Sequence, residues 1–257
     1  MNAASAHYHI LLPEKPAVEL EVPARFTFRF GHPFEHQMFP TARPKNVVVM
    51  TPDAQTVDLS DKPGRYDVPG ADGKPACGYA WTYSPAHRGD HVVVVQCEPE
   101  WMPEEKEFLE DSVKVILHVQ TQNGWDSAVG DGMELIPLTR PYGLRAGTVF
   151  QVIVRGSSPL TPRGIKTVTP GSENQPLPGT LVEVERYNAA PPKQLPPDEH
   201  ITRSVKTDPN GVATVTLPES GWWAITAVRD GGTRMRGGKG YPVKVRSTLW
   251  VHVDEAR

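Results

Sequence analysis

Hydrophobic residues along this chain alternate with polar ones over short stretches, which is the pattern of half-buried β-strands. The clearest case is residues 25–30, Arg-Phe-Thr-Phe-Arg-Phe, where the phenylalanines share one face of the strand. The 27 prolines are spread along the whole chain and leave few windows long enough for a helix. The pattern therefore predicts an all-β protein. Further strands are predicted at residues 7–12, 46–50, 112–121, 149–154, 180–187, 201–207, 212–217, 222–229 and 247–253.

Many short strands separated by turn residues are typical of β-sandwiches. At 257 residues the chain is long enough for two domains of ordinary size. We predict two β-sandwich domains in tandem, the first over residues 1–140 and the second over residues 141–257. Residues 156–179 are rich in Ser, Thr, Pro and Gly without periodicity, and they predict a surface loop inserted into the second domain.

The two cysteines stand at the ends of a segment that looks like a hairpin. Residues 77–83 alternate large and small side chains, turn-forming residues follow, and a valine-rich run ends at Cys97. If Tyr83 pairs with His91, Cys77 lies opposite Cys97, within the range of a disulfide. The alternative is two buried free thiols. We expect the disulfide, and with it an oxidising compartment.

The start of the chain adds an argument for export. Ala4, Ser5 and Ala6 form the small-x-small pattern that precedes a signal-peptidase cut. Residues 1–9 lack the hydrophobic stretch of an intact signal peptide. We therefore expect that most of a signal peptide is missing from this sequence, and that cleavage after Ala6 leaves a mature protein that begins at His7. A cytosolic protein with an alanine-rich start is the alternative.

Charge and hydropathy argue against nucleic-acid binding and against a membrane-spanning helix. The net charge is −3, and the sequence has no basic stripe interleaved with aromatic residues, so nothing predicts nucleic-acid binding. No apolar run approaches the ~20 residues that a membrane-spanning helix needs.

The sequence also lacks three catalytic or nucleotide-binding motifs: a Gly-x-Ser-x-Gly elbow, a phosphate-binding glycine loop and a His-Glu-x-x-His motif. We therefore expect a protein that is not an enzyme.

Candidate chemistry concentrates in the histidines of the first forty residues. His7 and His9 are two positions apart, so they project from one face of a strand, and His32 and His36 flank Glu35 in a predicted loop. Neutral imidazole is a good ligand for nickel, copper, cobalt and zinc, and a carboxylate offsets the charge of the ion. We predict a transition-metal site made by these five residues, with His7, His9 and His32 foremost and the other two as ligands or as groups that orient one.

An N-terminus at His7 would add its α-amine to this set. The amine and the first imidazole can chelate a metal ion as a histidine brace. Alternatively, the amine, the intervening amides and the third-position His9 offer four nitrogens in a plane, a geometry that Cu(II) and Ni(II) prefer. Either arrangement requires the cleavage after Ala6.

Three blocks of sequence resemble a bacterial periplasmic family described as the periplasmic component of nickel/cobalt uptake systems. They are Phe-Arg-Phe-Gly-His-Pro-Phe-Glu-His-Gln-Met-Phe at 28–39, Pro-Leu-Thr-Arg-Pro-Tyr-Gly-Leu at 137–144 and Ser-Thr-Leu-Trp-Val at 247–251. The second half, through residues 178–184 and the Asp-Pro-Asn-Gly turn at 208–211, resembles the transthyretin-like or carboxypeptidase-regulatory sandwich. These resemblances imply an exported metal-handling protein with immunoglobulin-like or transthyretin-like domains.

Three functions remain open at this point. The leading hypothesis is a periplasmic nickel- or cobalt-binding accessory protein that captures the ion and passes it to a membrane transporter, with copper or zinc as the alternative ions. The second is a non-enzymatic binding or structural module for a peptide, glycan or membrane partner, in which exposed aromatic residues such as Trp101 or Trp125 matter. The third is a copper protein with an N-terminal histidine brace, which would require redox turnover with a reductant.

Overall fold

The computed structural model describes residues 7–130, 132–156 and 174–255. The predicted cleavage site after Ala6 and most of the predicted insertion at 156–179 lie outside the described residues. Within those ranges the protein is all-β, as predicted, and its helical content is two short 3₁₀ turns, Ala71–Gly73 and Asp198–His200. None of the helices in the described part of the chain has the length and apolar character of a membrane span.

The strands are β1 (Tyr8–Pro13), β2 (Ala17–Val18), β3 (Ala24–His32), β4 (Gln37–Phe39), β5 (Asn46–Met50), β6 (Thr56–Asp58), β7 (Gly64–Pro69), β8 (Pro75–Tyr83), β9 (Gly89–Gln96), β10 (Glu100–Met102), β11 (Glu107–Val119), β12 (Glu134–Pro137), β13 (Leu144–Arg145), β14 (Thr148–Gly156), β15 (Gln175–Pro176), β16 (Leu181–Tyr187), β17 (Arg203–Lys206), β18 (Val212–Leu217), β19 (Gly221–Arg236) and β20 (Lys239–Asp254).

These strands form three sheets. The first sheet has the order β1-β3-β8-β7, with β4 paired to β3. The central sheet has the order β17-β16-β19-β20-β11-β9-β5-β6, with β2 and β10 on β11 and β13 on β20. The third sheet has the order β12-β14-β15, with β18 paired to β14. The central sheet joins strands from both halves of the sequence, because β20 pairs in parallel with β11. The division into domains at residue 140 stays a prediction, and this sheet crosses it.

Alternate side chains of the central sheet pack into two different hydrophobic cores. In β9, Val92 and Val94 belong to the core shared with the third sheet, and Val93 and Val95 to the core shared with the first sheet. In β20, Trp250 lies in the core of the first sheet. The molecule is therefore layered, with the central sheet covered on both faces. A strand of this kind needs consecutive apolar residues, which explains the unbroken run of valines.

The predicted hairpin between residues 77 and 97 is wrong. β8 pairs with β3 and β7 in the first sheet, whereas β9 pairs with β5 and β11 in the central sheet. Tyr83 and His91 are not paired through their backbones, and they meet through their side chains, by a hydrogen bond of 3.0 Å between Oη and Nδ1 and a ring contact at 5.5 Å. The register that placed Cys77 opposite Cys97 does not exist, and both are buried free thiols. Turn-forming residues connect strands in facing sheets as readily as neighbours in one sheet, and this is the physical reason for the error.

Candidate metal-binding site

His7 and His32 face each other at the start of the first sheet. β1 and β3 are antiparallel with Tyr8 opposite Gly31, so the two histidines occupy the next pair of positions. Their Nε2 atoms are 3.1 Å apart. Both side chains are half-buried. Burial, and then the nearby charges of His32 and Arg246, lower the pKa of His7 to about 3, so its imidazole is neutral at physiological pH.

Aromatic rings support this histidine pair. The His7 ring stacks on Phe30 at 5.7 Å between centroids and lies 5.2 Å from Phe39, and the His32 ring meets Phe39 edge-on at 5.3 Å. The His9 ring also contacts Phe30, at 4.7 Å, so His7 and His9 share a face as strand geometry predicts. The Nδ1 of His7 is buried and has no hydrogen-bond partner in the described part of the chain.

His9 lies deeper and is fully engaged. Its Nδ1 is 2.7 Å from Oδ2 of Asp111, and its Nε2 is 3.4 Å from Oγ1 of Thr41. Arg246 donates to both oxygens of the same carboxylate, from Nε at 2.8 Å and from Nη2 at 2.6 Å. Burial opposes ionisation of Asp111, but Arg246 and His9 outweigh it and hold the pKa of this carboxyl well below its usual range. The predicted role of His9 as a metal ligand conflicts with these bonds, which occupy both ring nitrogens.

Arg246 connects this buried ion cluster to the histidine pair. Its Nη1 donates a hydrogen bond of 2.7 Å to the backbone oxygen of His7. Arg246 stands directly opposite Asp111 in the parallel pairing of β20 with β11. Sequence reasoning missed both residues, because only the pairing of the two halves brings them together. The local sequence does not mark Arg246 as buried, because polar residues, Lys244 and Ser247, stand beside it in β20.

His36 bonds to the second half of the chain, and Glu35 lies close enough to Glu185 in that half for its charge to act on this residue. His36 donates through Nδ1 to the backbone oxygen of Asn188 at 2.7 Å. The amide side chain of Asn188 donates to the backbone oxygen of Phe34 at 2.6 Å, and its backbone N–H donates to that of Pro33 at 3.0 Å. The loop after β3 is thus fastened to the end of β16. Among the described residues, no three His, Cys, Asp or Glu side chains are grouped as a metal ion would require.

A buried carboxyl group lies beneath the same loop. Glu185 is wholly buried, accepts the backbone N–H of Phe34 at 3.1 Å and accepts the hydroxyl of Thr202 at 2.5 Å. Burial, assisted by the nearby charges of Glu35 and Glu183, outweighs these hydrogen bonds and raises the pKa of Glu185 to about 8. It is therefore mainly protonated at neutral pH. Nothing in the sequence shows that the loop covers this face of β16, so this residue could not have been predicted.

Comparison with known proteins places these residues in a family. A family model described as Domain of unknown function (DUF4198) matches residues 4–157 and 167–231. No protein in the curated set matches the chain significantly.

Solved structures show only distant likeness. A DUF4785 family protein from Legionella pneumophila is 7% identical, over 87% of this chain and 52% of that one, with a TM-score of 0.31. Salmonella α-2-macroglobulin reacted with methylamine is 14% identical over 99% of this chain and 15% of that one, with a TM-score of 0.27. The titin domains Z1Z2 in complex with telethonin are 14% identical over 98% of each chain, with a TM-score of 0.22. This chain spans about half the length of the Legionella protein. Because the family model covers most of the sequence, the chain belongs to the DUF4198 family.

Proposed function

We propose that this protein binds a transition-metal ion, nickel or cobalt in the first place, at His7 and His32. It would act in the periplasm as an accessory protein of metal uptake that passes the ion to a membrane transporter. The observation that carries the proposal is the 3.1 Å between the two Nε2 atoms. Two imidazoles bound to one ion at roughly 2.0–2.1 Å each have nitrogens about 3 Å apart, so a small rotation of the rings admits a metal.

The protonation state of His7 supports the same function. A histidine must be neutral to bind a metal, and the low pKa of His7 meets this requirement. The two Nε2 atoms are at hydrogen-bond distance, so the hydrogen between them must move to the Nδ1 of its own ring before both nitrogens bind the ion. The half-buried position gives an ion access from solvent, while Phe30 and Phe39 hold the rings. The chemistry of the donors, two imidazoles and no thiolate, suits nickel, cobalt, copper and zinc alike.

Two of the other predicted ligands, His9 and His36, fit this proposal as groups that position the pair. His9 orients Asp111, which holds Arg246, which in turn donates to the backbone of His7. His36 is bonded to Asn188 and fixes the loop that follows His32. Partners of this kind commonly orient metal ligands and affect affinity about 10- to 100-fold.

A histidine brace is the second candidate, and one specific observation favours it. The buried Nδ1 of His7 has no partner within the described residues, and Nδ1 is the nitrogen that chelates together with the α-amine of the same residue. A mature protein that begins at His7 would therefore supply two nitrogens from one residue, its α-amine and its Nδ1. Nitrogen ligands of this kind suit copper.

Metal titration on two forms of the protein tests the proposal. The full chain and a chain that begins at His7 are loaded with Ni²⁺, Co²⁺, Cu²⁺ and Zn²⁺, and bound metal is measured by mass spectrometry after dialysis. We expect one equivalent of nickel or cobalt, lost in His7→Ala and in His32→Ala. His200→Ala, a change at an exposed histidine, is the matched control and keeps the metal.

The two forms separate the two candidates. A brace predicts that only the chain beginning at His7 binds copper tightly, and that the bound copper turns over with a reductant. A simple carrier binds in both forms and shows no turnover. Substoichiometric metal in both forms, unchanged by His7→Ala and His32→Ala, would contradict both and favour the non-metal binding module.

A further inference from the structure

Two arginines on one face of β3 have no acidic partner. Arg25 and Arg29 are four positions apart in the strand, so their side chains leave it on the same side. Neither guanidinium forms an ion pair with a carboxylate of the described residues, and the buried Nε of Arg29 has no hydrogen-bond partner among them. Glu14, which follows β1, is bonded to Arg25 through the backbone alone, from its N–H to the oxygen of Arg25 at 2.9 Å. A buried cationic group is normally paired, so Arg29 lacks the group that would offset its charge.

Two tyrosine rings position these guanidinium groups. The Cζ atom of Arg25 lies 5.8 Å from the ring centre of Tyr66, and that of Arg29 lies 5.4 Å from the ring centre of Tyr187. The rings contact the guanidinium groups through their π-systems, whereas the N–H donors of a guanidinium lie in its own plane. The tyrosines therefore hold the two cations but leave their donors available for an anion.

A glycine brings Arg29 and Tyr66 together. Gly78 of β8 lies opposite Tyr66 of β7. A Cβ atom at Gly78 would be 2.9 Å from Cγ of Arg29 and 3.0 Å from Cε1 of Tyr66, so both side chains rest directly on this residue. Because the same tyrosine ring also carries Arg25, the two arginines and Tyr66 form one packed unit.

Small residues occupy the row of the sheet between the two arginines. Thr27 of β3 pairs with Ala80 of β8, which pairs with Gly64 of β7. A Cβ atom at Gly64 would have only the backbone oxygen of Ala80 within 4 Å, at 3.8 Å. This row therefore leaves space on the sheet beside Tyr66, where a small ligand can reach the guanidinium groups.

The charge of the unit indicates the class of ligand. Two guanidinium groups without carboxylates carry two positive charges, which a dianion offsets and a single carboxylate does not. The planar fork of N–H donors in arginine also matches the oxygens of a phosphate group, to which it can donate two parallel hydrogen bonds.

We propose that this face of β3 binds a phosphate group at Arg25 and Arg29, as the free ion or as a phosphate monoester. Its oxygens accept hydrogen bonds from Nε–H of Arg29 and from the guanidinium of Arg25. His32 stands three positions after Arg29 and projects from the opposite face of β3. The phosphate site is therefore separate from the histidine pair, and its ligand does not depend on metal.

NMR titration of the full chain in a phosphate-free buffer tests the proposal. The Nε–H signal of Arg29 is followed while inorganic phosphate, phenyl phosphate or acetate is added at constant ionic strength. We expect a saturable shift with phosphate, and roughly tenfold weaker binding of acetate, since a charge-assisted contact is lost. Tighter binding of phenyl phosphate than of the free ion assigns the site to a monoester, and equal or weaker binding assigns it to the free ion.

Variants measured by calorimetry complete the test. Arg29→Lys keeps the charge but removes the fork of donors, and Arg25→Gln changes an exposed position that leaves the core intact. Each should weaken phosphate binding roughly tenfold. Arg65→Gln, at an exposed arginine of β7 that lies 3.9 Å from Asp67, is the matched control and should bind as the wild type does, as should His7→Ala. Absence of a saturable Arg29 shift at millimolar phosphate, equal binding of acetate, or an equal loss in Arg65→Gln would overturn the proposal.

Discussion

The backbone N–H of Phe34 donates to Oε1 of Glu185 across 3.1 Å, which ties the loop after His32 to a wholly buried carboxyl group in the second half of the chain. The same loop is held by His36 and Asn188. The most distinctive sequence block of the protein therefore contributes one residue to the histidine pair and uses the others to join the two halves. Burial keeps this carboxyl group protonated, and this has a consequence for stability.

Replacing Glu185 with Gln should remove a pH dependence of the free energy of unfolding. The pKa of Glu185 is raised from 4.5 to about 8, so the folded state retains a proton that the unfolded state has lost between those values. Stability should therefore fall as the pH rises from about 4.5 to 8 and level off above. Glu185→Gln should show a shallower fall and exceed the wild type at pH ~9 by at least about 1.4 kcal/mol, the equivalent of one pKa unit.

Urea unfolding followed by circular dichroism at several pH values measures this effect. Glu104→Gln makes the same chemical change at an exposed site and should leave the pH profile unaltered. If the free energy of unfolding depended on pH in the same way for the wild type and Glu185→Gln, the pKa of Glu185 would not be raised in the folded protein, which would contradict the prediction.

The ion cluster of His9, Asp111 and Arg246 should behave as a buried salt bridge. Asp111→Ala leaves Arg246 buried without its carboxylate, and loss of one partner from such a pair costs about 3–5 kcal/mol. The double variant Asp111→Leu/Arg246→Met, with no charge left unpaired, should lose less than the single variant. With the matching single variants Asp111→Leu and Arg246→Met added, denaturant unfolding of all forms gives the coupling energy of the pair.

An exposed pair is the control for this cycle. Asp61 lies 3.0 Å from Lys62 at the surface, so Asp61→Ala should change stability by about 0.5 kcal/mol or less. If Asp111→Ala cost no more than Asp61→Ala, the cluster would not be the ion pair described here.

The sequence predicts the strands of this fold much better than their partners. Alternation in residues 25–30 identifies β3. The Asn-Gly turn before Val212 is formed, but only Gly211 of the two adopts a positive φ, 76°, and the strands that flank the turn pair in different sheets. The partners of β9 could not be predicted, since consecutive valines indicate burial on both faces but do not show which sheets supply it. Parallel pairing of β11 with β20 joins residues more than a hundred positions apart, and no local pattern encodes it.

The candidate site was predictable in part for the same reason. Spacing on a strand places His7 and His9 on one face, and the antiparallel pairing of β1 with β3 brings His32 opposite His7. The separate roles of His9 and His36 depend on Asp111 and Asn188, which reach them from distant strands. Identical side chains thus differ in function because of partners that only the tertiary structure provides.

A close backbone approach at Gly31 should be essential for placing His32. A Cβ atom at Gly31 would lie 2.0 Å from the backbone oxygen of Gln37, so Gly31→Ala must displace the β3–β4 connection. We expect a loss of stability of about 1–3 kcal/mol together with weaker metal binding. Gly64→Ala in β7 is the matched control, since its Cβ would meet Ala80 at an ordinary 3.8 Å. Melting temperatures and metal titrations of the two variants, compared with wild type, distinguish them.

The layered arrangement makes a last prediction about β9. Val93 and Val94 point to opposite faces, and each lies in a hydrophobic core. Val→Thr keeps the shape of the side chain but buries a hydroxyl, so Val93→Thr and Val94→Thr should each lose about 1–3 kcal/mol of unfolding free energy. Val149→Thr, at a position 56% exposed, should be nearly neutral. A strand with one solvent-facing side would instead tolerate one of the two β9 changes, so equal losses at the neighbouring positions distinguish the covered central sheet from a simple sandwich.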